Sequence, residues 1–180
     1  MATQNPRTVS ASASSKGLVD VTSLVLLAVL LAAGLILNMT VGNAMAMTGI
    51  KPQFIIAAYS LAVLLTNASF VQAGIYGLIA AAVIQLNTSI PGLNFLTELA
   101  GALTMCALVK ARLGGKINPF VGTFCATFVS GALFAVLGTL IMGAELGTCL
   151  VKLPIILGTA CFDSIVVQAL SIPLAKVLKK

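Results

Sequence analysis

The 180-residue sequence has few charged residues and lacks two residue types entirely. Only 8% of its residues are charged, whereas a typical soluble domain has about a quarter. Histidine and tryptophan are absent. The absence of histidine excludes an imidazole metal site and a histidine-based catalytic triad. The scarcity of charge excludes an ordinary soluble domain, because there would be too little polar surface to cover it.

Hydrophobic residues instead make up 59% of the chain, and long apolar stretches recur along it. Apolar runs near the length of a bilayer crossing predict membrane-spanning helices. We therefore expect an all-α integral membrane protein, with a flexible polar tail at 1–20 and one domain of about six transmembrane helices at 21–180. The second segment is short and would have to stand upright or share its depth with loops. The six segments lie near 22–40, 52–66, 70–87, 93–113, 120–142 and 149–176.

The basic residues predict the orientation in the membrane. With six spans, eight of them fall on one side: Arg7, Lys16, Lys110, Arg112, Lys116, Lys176, Lys179 and Lys180. The positive-inside bias makes that side cytoplasmic, with both termini, and leaves Lys51 and Lys152 outside. The net charge of +6 then requires no nucleic acid partner. We expect a multi-pass protein of a bacterial-type cell membrane. An A-x-A pattern at 44–46 also fits a cleavable signal peptide, but the first apolar stretch is long enough to span, and a retained helix is favoured.

The sequence carries little that predicts an enzyme. The four cysteines have no CxxC spacing and are typical of small side chains packed in helices, although metal or redox chemistry is the alternative. The P-loop pattern is absent, since Gly114, Gly115 and Lys116 form a turn without the rest of the motif. We expect a non-enzymatic protein without a cofactor.

Polar residues gather at the predicted outer ends of the helices, around one carboxylate. Glu98 lies about five residues into the fourth segment, roughly 7 Å deep. A cluster of donors and acceptors around a buried carboxylate suits a small polar or zwitterionic solute, whose amine would pair with Glu98 and whose carboxylate would pair with Lys51 or with asparagine amides. The candidate binding residues are Glu98, Asn94, Lys51, Asn38, Asn87, Gln53 and Asp163.

Simpler structural roles are open for the charged residues of this cluster. Glu98 could stabilise the start of its own helix, and Lys51 could face water. Asp163 lies in the middle of the sixth segment with no basic residue nearby in sequence. It needs a partner, a protonated state or a water-filled cavity, so it has either a functional role or a buried interhelical hydrogen bond.

The first segment contains a pair of small residues with helical spacing. Ala28 and Ala32 are four residues apart in the cytoplasmic half, where small side chains allow another helix to approach closely. Together with about six helices in roughly 180 residues, this pair resembles the substrate-binding S components of energy-coupling factor (ECF) transporters. The resemblance implies that Ala28 and Ala32 dock on the transmembrane coupling protein and that two ATPase subunits drive the cycle.

Two short stretches are similar to the tryptophan transporter (TrpP-like) family within that group. Residues 49–52 (GIKP) resemble a GMKPD-type stretch, and residues 89–98 (SIPGLNFLTE) resemble an FPGGQxPNxxDK-type stretch. Gln53 stands where the family has an acid, only one glycine follows Pro91, and Glu98 replaces an aspartate. The resemblance implies uptake of tryptophan, a related aromatic amino acid or a vitamin-like compound, with closure of the outer loop at 41–51 and reorientation by the partners.

Other classes of function remain open on the sequence alone. A standalone permease driven by an ion gradient would use Asp163 or Glu98 as a proton carrier. A membrane enzyme is disfavoured by the lack of histidine, paired carboxylates and cofactor motifs. A non-catalytic scaffold is disfavoured because the polar groups concentrate on one side.

Overall fold

The protein is a bundle of six helices in the part of the chain that the structure covers. The structure is a computed structural model that describes residues 20–112 and 115–178, and these ranges contain no strand. The predicted all-α bundle is confirmed. Apart from Asp20, the predicted tail lies outside the described residues, as do Lys179 and Lys180. The helices are α1 (Val21–Leu37), α2 (Phe54–Thr66), α3 (Phe70–Ile84), α4 (Leu93–Ala111), α5 (Asn118–Ile141) and α6 (Thr148–Leu178).

Five helical stretches in the described ranges are long and apolar enough to cross a membrane. The exception is α2, whose 13 residues extend about 20 Å, less than the roughly 30 Å of a bilayer's hydrocarbon core. The chain is therefore a multi-span helical membrane protein with one short helix. The spanning stretches are Val21–Ala46, Phe70–Asn87, Leu93–Ala111, Gly115–Ile141 and Thr148–Val177.

The short helix α2 forms the centre of the bundle. Ten consecutive residues, 54–63, are buried, and α2 packs against each of the other five helices. A helix that is apolar on all sides is stable only when it is surrounded. Because protein covers α2, its length does not have to match the bilayer.

An extended, non-helical segment leads directly into the short helix α2 and is hydrogen-bonded to α6. The Thr159 hydroxyl of α6 donates to the Lys51 carbonyl at 3.1 Å, and the Gln53 N–H donates to the Asp163 carboxylate at 3.1 Å. These bonds satisfy backbone groups that would otherwise be unpaired inside a membrane protein. The second segment is thus a short helix preceded by non-helical chain, and whether it stands upright or shares its depth with loops stays a prediction.

The first helix continues further than its apolar pattern predicts. A π-helical turn at Asn38–Gly42 joins α1 to a last helical turn at Asn43–Ala46. The predicted outer loop at 41–51 is therefore wrong for its first half. Gly42 allows this extension to lie close to α2, because a Cβ there would come within 3.2 Å of the Pro52 carbonyl oxygen. The residues of the A-x-A pattern lie in this turn.

Basic residues of the described ranges separate between the two ends of the bundle. Lys110 and Arg112 lie at the end of α4, and Lys176 lies in the last turn of α6. Lys116 precedes α5 and is held to α6, because the Gln168 amide donates to its carbonyl at 3.3 Å. We refer to this side as the basic end; the opposite end contains Lys51 and Lys152.

Candidate functional site

The end of the bundle opposite the basic end contains a cavity of about 390 Å³. Its volume lies at the lower end of the range of small-molecule binding sites in proteins. Every helix or its adjoining turn contributes to the wall. The polar lining residues are Asn38, Lys51, Gln53, Asn87, Thr88, Ser89, Asn94, Glu98, Thr127, Ser130, Lys152 and Thr159.

The cavity brings together most of the residues that the sequence predicts for a binding site. Six of the seven candidates line it: Glu98, Asn94, Lys51, Asn38, Asn87 and Gln53. Asp163 is not among the lining residues. The six come from the π-helical turn after α1, from α4, from the segment before α2 and from the turn after α3, so the fold gathers them from distant parts of the chain. Their role in binding remains a prediction.

Glu98 is buried in the cavity wall and only partly hydrogen-bonded. Its side chain is 4% exposed, and one carboxylate oxygen, Oε1, accepts a bond of 3.2 Å from the Ser130 hydroxyl. The other oxygen, Oε2, has no hydrogen-bond partner among the described residues. A buried carboxylate oxygen without a donor is costly in a folded protein. Glu98 is therefore a buried, cavity-lining acid with one completed hydrogen bond, and the Tyr59 hydroxyl is the other polar group beside its carboxylate.

The capping role considered for Glu98 is wrong. Helix α4 begins at Leu93, and its N-cap is Gly92, at a φ of 86° and without a side-chain capping bond. Glu98 is the sixth residue of the helix, beyond the first turn in which a carboxylate can bond free backbone N–H groups. Its carboxylate instead points to α5.

Close helix packing fixes the position of Glu98. On α3, a Cβ at Gly77 would come within 2.8 Å of the Glu98 carbonyl oxygen. On the adjacent face, the Tyr59 hydroxyl of α2 lies against Gly101, one turn after Glu98, and it interacts with the Glu98 side chain. Small residues at these crossings let the backbones approach closely. The carboxylate is thus held in place rather than free to turn away.

Further polar atoms around the cavity have no partner in the described part of the chain. Both donors and acceptors are present: Asn38 Oδ1, Asn87 Nδ2 and Asn94 Nδ2. Asn38 and Asn94 are at most 4% exposed. Natural proteins leave few buried polar groups unpaired, so a group of them around one cavity indicates that something else completes their bonds.

Two lysines give the cavity positive charge at different positions. Lys152, on the first turns of α6, is exposed, and its ammonium donates to the Thr139 hydroxyl at 3.0 Å. Lys51 is half-buried and also lines the cavity. The open side of the cavity therefore combines cationic groups with the carboxylate of Glu98 deeper in the wall.

Asp163 has a different environment from Glu98. It is fully buried, and both of its oxygens accept from the Gln53 N–H, at 3.1 and 3.3 Å. Gln53 is the N-cap residue of α2, where backbone N–H groups and the helix dipole favour a negative charge. The buried interhelical hydrogen bond considered from the sequence is present, although its acceptor bonds a backbone group.

Several lining residues on α5 and α6 are not among the binding residues predicted from the sequence. Thr127 and Ser130 follow one another at helical spacing with Phe134 and Gly138, and all four line the cavity. This spacing of three and four residues places them on one face of α5. That shared face is the sequence feature from which these lining residues could have been predicted. Lys152 had been placed outside the membrane but not in the site.

The cysteines and acidic residues do not form a metal site. No group of three or more histidine, cysteine or acidic side chains occurs within residues 20–112 and 115–178. Cys106 donates to the Ala68 carbonyl at 3.4 Å, and Cys149 lies 3.5 Å from the Thr139 hydroxyl. In the structure, these two cysteines have packing and hydrogen-bonding roles.

The fold and the cavity define a multi-span helical membrane protein with a buried polar site at one end. No protein-family model matches this chain, and no curated protein or solved structure matches it.

Proposed function

We propose that the protein binds a small polar solute in this cavity as the substrate-specific membrane subunit of an importer. The observation that carries the proposal is the unpaired oxygen of Glu98, a cavity-lining residue that has further lining residues with unpaired donors and acceptors around it. A solute with complementary groups would satisfy them. Under the predicted orientation, the cavity opens to the outside and the basic end faces the cytoplasm.

The importer that fits best is of the energy-coupling factor type. We propose that the chain is its S component and that a transmembrane coupling protein and two ATPase subunits supply the energy. The resemblance in the sequence and the six-helix architecture support this proposal. The solute would be tryptophan, a related aromatic amino acid or a vitamin-like compound. Binding and reorientation would then replace covalent chemistry.

The surface of α1 is compatible with docking of such a partner. Ala28 and Ala32 are both exposed on α1, and larger apolar neighbours accompany them: Val25 is 58% exposed and Val29 is 62% exposed. The small alanine side chains leave a shallow groove along this apolar face, in which a partner helix could lie close to α1.

The first test is solute binding to the purified chain in detergent without partners. Tryptophan, other aromatic amino acids and a panel of B-type vitamins would be titrated by calorimetry. One compound should bind with a sub-micromolar dissociation constant, about −8 kcal/mol or better. Glu98→Ala should abolish that binding while the unfolding transition persists. Equal affinity in the variant would remove Glu98 from the site, and no binding across the panel would contradict these solute classes.

The second test separates docking from binding. Leucine at both alanine positions, A28L with A32L, should leave solute affinity unchanged and block co-purification with the ATPase module. V25L with V29L is the matched control, because it enlarges side chains on the same face without filling the shallow groove at the two alanines. Assembly of the alanine variant at wild-type yield would contradict the docking role. Uptake that needs no ATPase but stops with an uncoupler would instead indicate an ion-gradient permease.

A further inference from the structure

The cavity contains its unpaired acceptors and its fixed cation at two different depths. Glu98 is buried, whereas Lys152 is exposed near the start of α6. We propose that the solute is elongated, with an ammonium or similar donor group at Glu98, an apolar middle, and an anionic group at Lys152. This inference rests on the proposed function and, among its solute classes, favours an elongated vitamin-like compound over tryptophan and other α-amino acids.

Helix α5 provides the distance between the two charged positions. The Ser130 hydroxyl bonds the Glu98 carboxylate at 3.2 Å, and the Thr139 hydroxyl bonds the Lys152 ammonium at 3.0 Å. Thr139 lies nine residues after Ser130 on this continuous helix, which corresponds to about 13 Å of rise. Ser130 and Thr139 also lie on different sides of α5. The distance between the Glu98 carboxylate and the Lys152 ammonium is therefore not shorter than this rise suggests.

The wall between these two positions is mainly apolar. Along α5 it consists of Gly131, Phe134, Ala135 and Gly138. Ile155 and Ile156 of α6 lie across from it. A solute that connects the two ends therefore passes an apolar surface, which suits a hydrocarbon chain or a flat ring in its middle.

The donor group belongs at the buried end for a chemical reason. Glu98 Oε2 and Asn38 Oδ1 are both acceptors without a partner in the described ranges. An ammonium carries three donors, which suits a buried end that offers acceptors. The exposed end has the opposite requirement, because a lysine ammonium has donors only and binds an anion.

This geometry disfavours an ordinary α-amino acid as a ligand that spans the site. Its amine nitrogen and carboxyl carbon are separated by two bonds, about 2.5 Å. It could therefore contact Glu98 or Lys152 but not both. Lys51, which is half-buried and also lines the cavity, is the lysine that such a ligand would use.

The test is a series of ω-amino carboxylates that differ only in chain length. An extended chain advances about 1.2 Å per bond, as the polypeptide backbone does. Allowing one hydrogen bond at each end, the best member should have its charges about 8–12 Å apart, which corresponds to ω-aminooctanoate. Its affinity for the purified chain should exceed those of ω-aminobutanoate, of ω-aminododecanoate and of tryptophan, measured by calorimetry.

Charge-removing variants then assign the two ends. Lys152→Met should weaken binding of ω-aminooctanoate about tenfold, the size expected for loss of a bond to a charged group. The same variant should leave the affinity for octylamine, which has no carboxylate, unchanged. Lys51→Met is the matched control and should have the smaller effect. The unfolding midpoint of both variants should remain that of the wild type.

Several results would overturn the elongated solute. One is an affinity that is independent of Lys152 for every compound that binds. Another is a larger loss in Lys51→Met than in Lys152→Met, since the anionic group would then lie at the deeper lysine. In both cases a ligand still binds, so the proposed function stands. If neither this series nor the amino acid and vitamin panel binds, the proposed function fails together with this inference.

Discussion

Two buried carboxylates lie in different regions of the bundle and have contrasting surroundings. Asp163, between α6 and the start of α2, directs both oxygens to the Gln53 N–H. Glu98, in the cavity wall, bonds Ser130 through one oxygen and leaves the other without a partner in the described ranges. Both residues are at most 4% exposed. Burial alone therefore does not distinguish the two acids, whereas their hydrogen bonds do.

The difference lies in which hydrogen bonds the fold completes. Asp163 accepts from the Gln53 N–H at the N-cap of α2, a backbone donor that would otherwise be unpaired inside a membrane protein, so the carboxylate completes the fold. The bonds of Glu98 are incomplete although tight packing on α3 and α5 holds the residue in place. A half-satisfied buried group is unfavourable for folding, and it has a use when a ligand supplies the missing donor.

The largest expected effect is loss of stability when the Asp163 bonds are removed. Asp163→Ala leaves the Gln53 N–H buried without an acceptor, and we expect it to lower the free energy of unfolding by about 2–3 kcal/mol. Asp163→Asn keeps one side-chain oxygen as an acceptor and should cost less than about 1 kcal/mol. Unfolding by denaturing detergent, followed by circular dichroism, measures both.

The same experiment sharpens the comparison with Glu98. Glu98→Gln should leave the unfolding midpoint close to that of the wild type, because its amide oxygen can still accept from Ser130. Its solute affinity should fall. If Asp163→Asn lost solute affinity while retaining full stability, Asp163 would belong to the binding machinery and the contrast between the two acids would be wrong.

Most of the fold could be predicted from hydrophobic runs. Five long apolar stretches and the short second segment are visible in the sequence, because a helix that crosses the bilayer needs an apolar run of matching length. The end of the first helix could not be predicted. Gly42 and Asn43 resemble loop residues locally, and only the packing of Gly42 against the Pro52 region shows why the helix continues.

The site could be predicted in part, for a related physical reason. Polar residues such as Glu98 and Asn94 are conspicuous in an apolar chain and lie one helical turn apart. Ser130 and Thr127 are less conspicuous, because hydroxyl side chains occur throughout membrane helices and often bond within their own helix. Their contribution depends on the register between α4 and α5, which the sequence does not state.

A smaller loss of stability is expected at the close contact between Tyr59 of α2 and Gly101 of α4. Gly101→Ala would place a Cβ against the Tyr59 hydroxyl and within 3.3 Å of the Ala126 carbonyl oxygen. Such overpacking should lower the free energy of unfolding by about 2 kcal/mol. In a Tyr59→Phe background, the cost should be about 1 kcal/mol less, because one of the clashing atoms is gone.

A matched control makes this result specific to the crossing. Gly74→Ala changes glycine to alanine in α3, where the nearest atom would be 3.5 Å from the new Cβ. It should be neutral or slightly stabilising, because alanine favours helix more than glycine does. Equal costs at the two glycines, or no rescue by Tyr59→Phe, would contradict the close packing proposed for the Tyr59 hydroxyl.

The smallest expected effect concerns the one bond that the fold gives to Glu98. Ser130→Ala removes the donor to Oε1, so the carboxylate loses part of its orientation, and solute affinity should fall by about 1 kcal/mol, or roughly fivefold. Ser60→Ala is the control, because the Ser60 hydroxyl is buried on α2 without a partner in the described ranges and does not line the cavity. Calorimetric titration should find its affinity unchanged. If both variants bound the solute as the wild type does, Ser130 would not position Glu98, and the other contacts of α4 would hold the carboxylate alone.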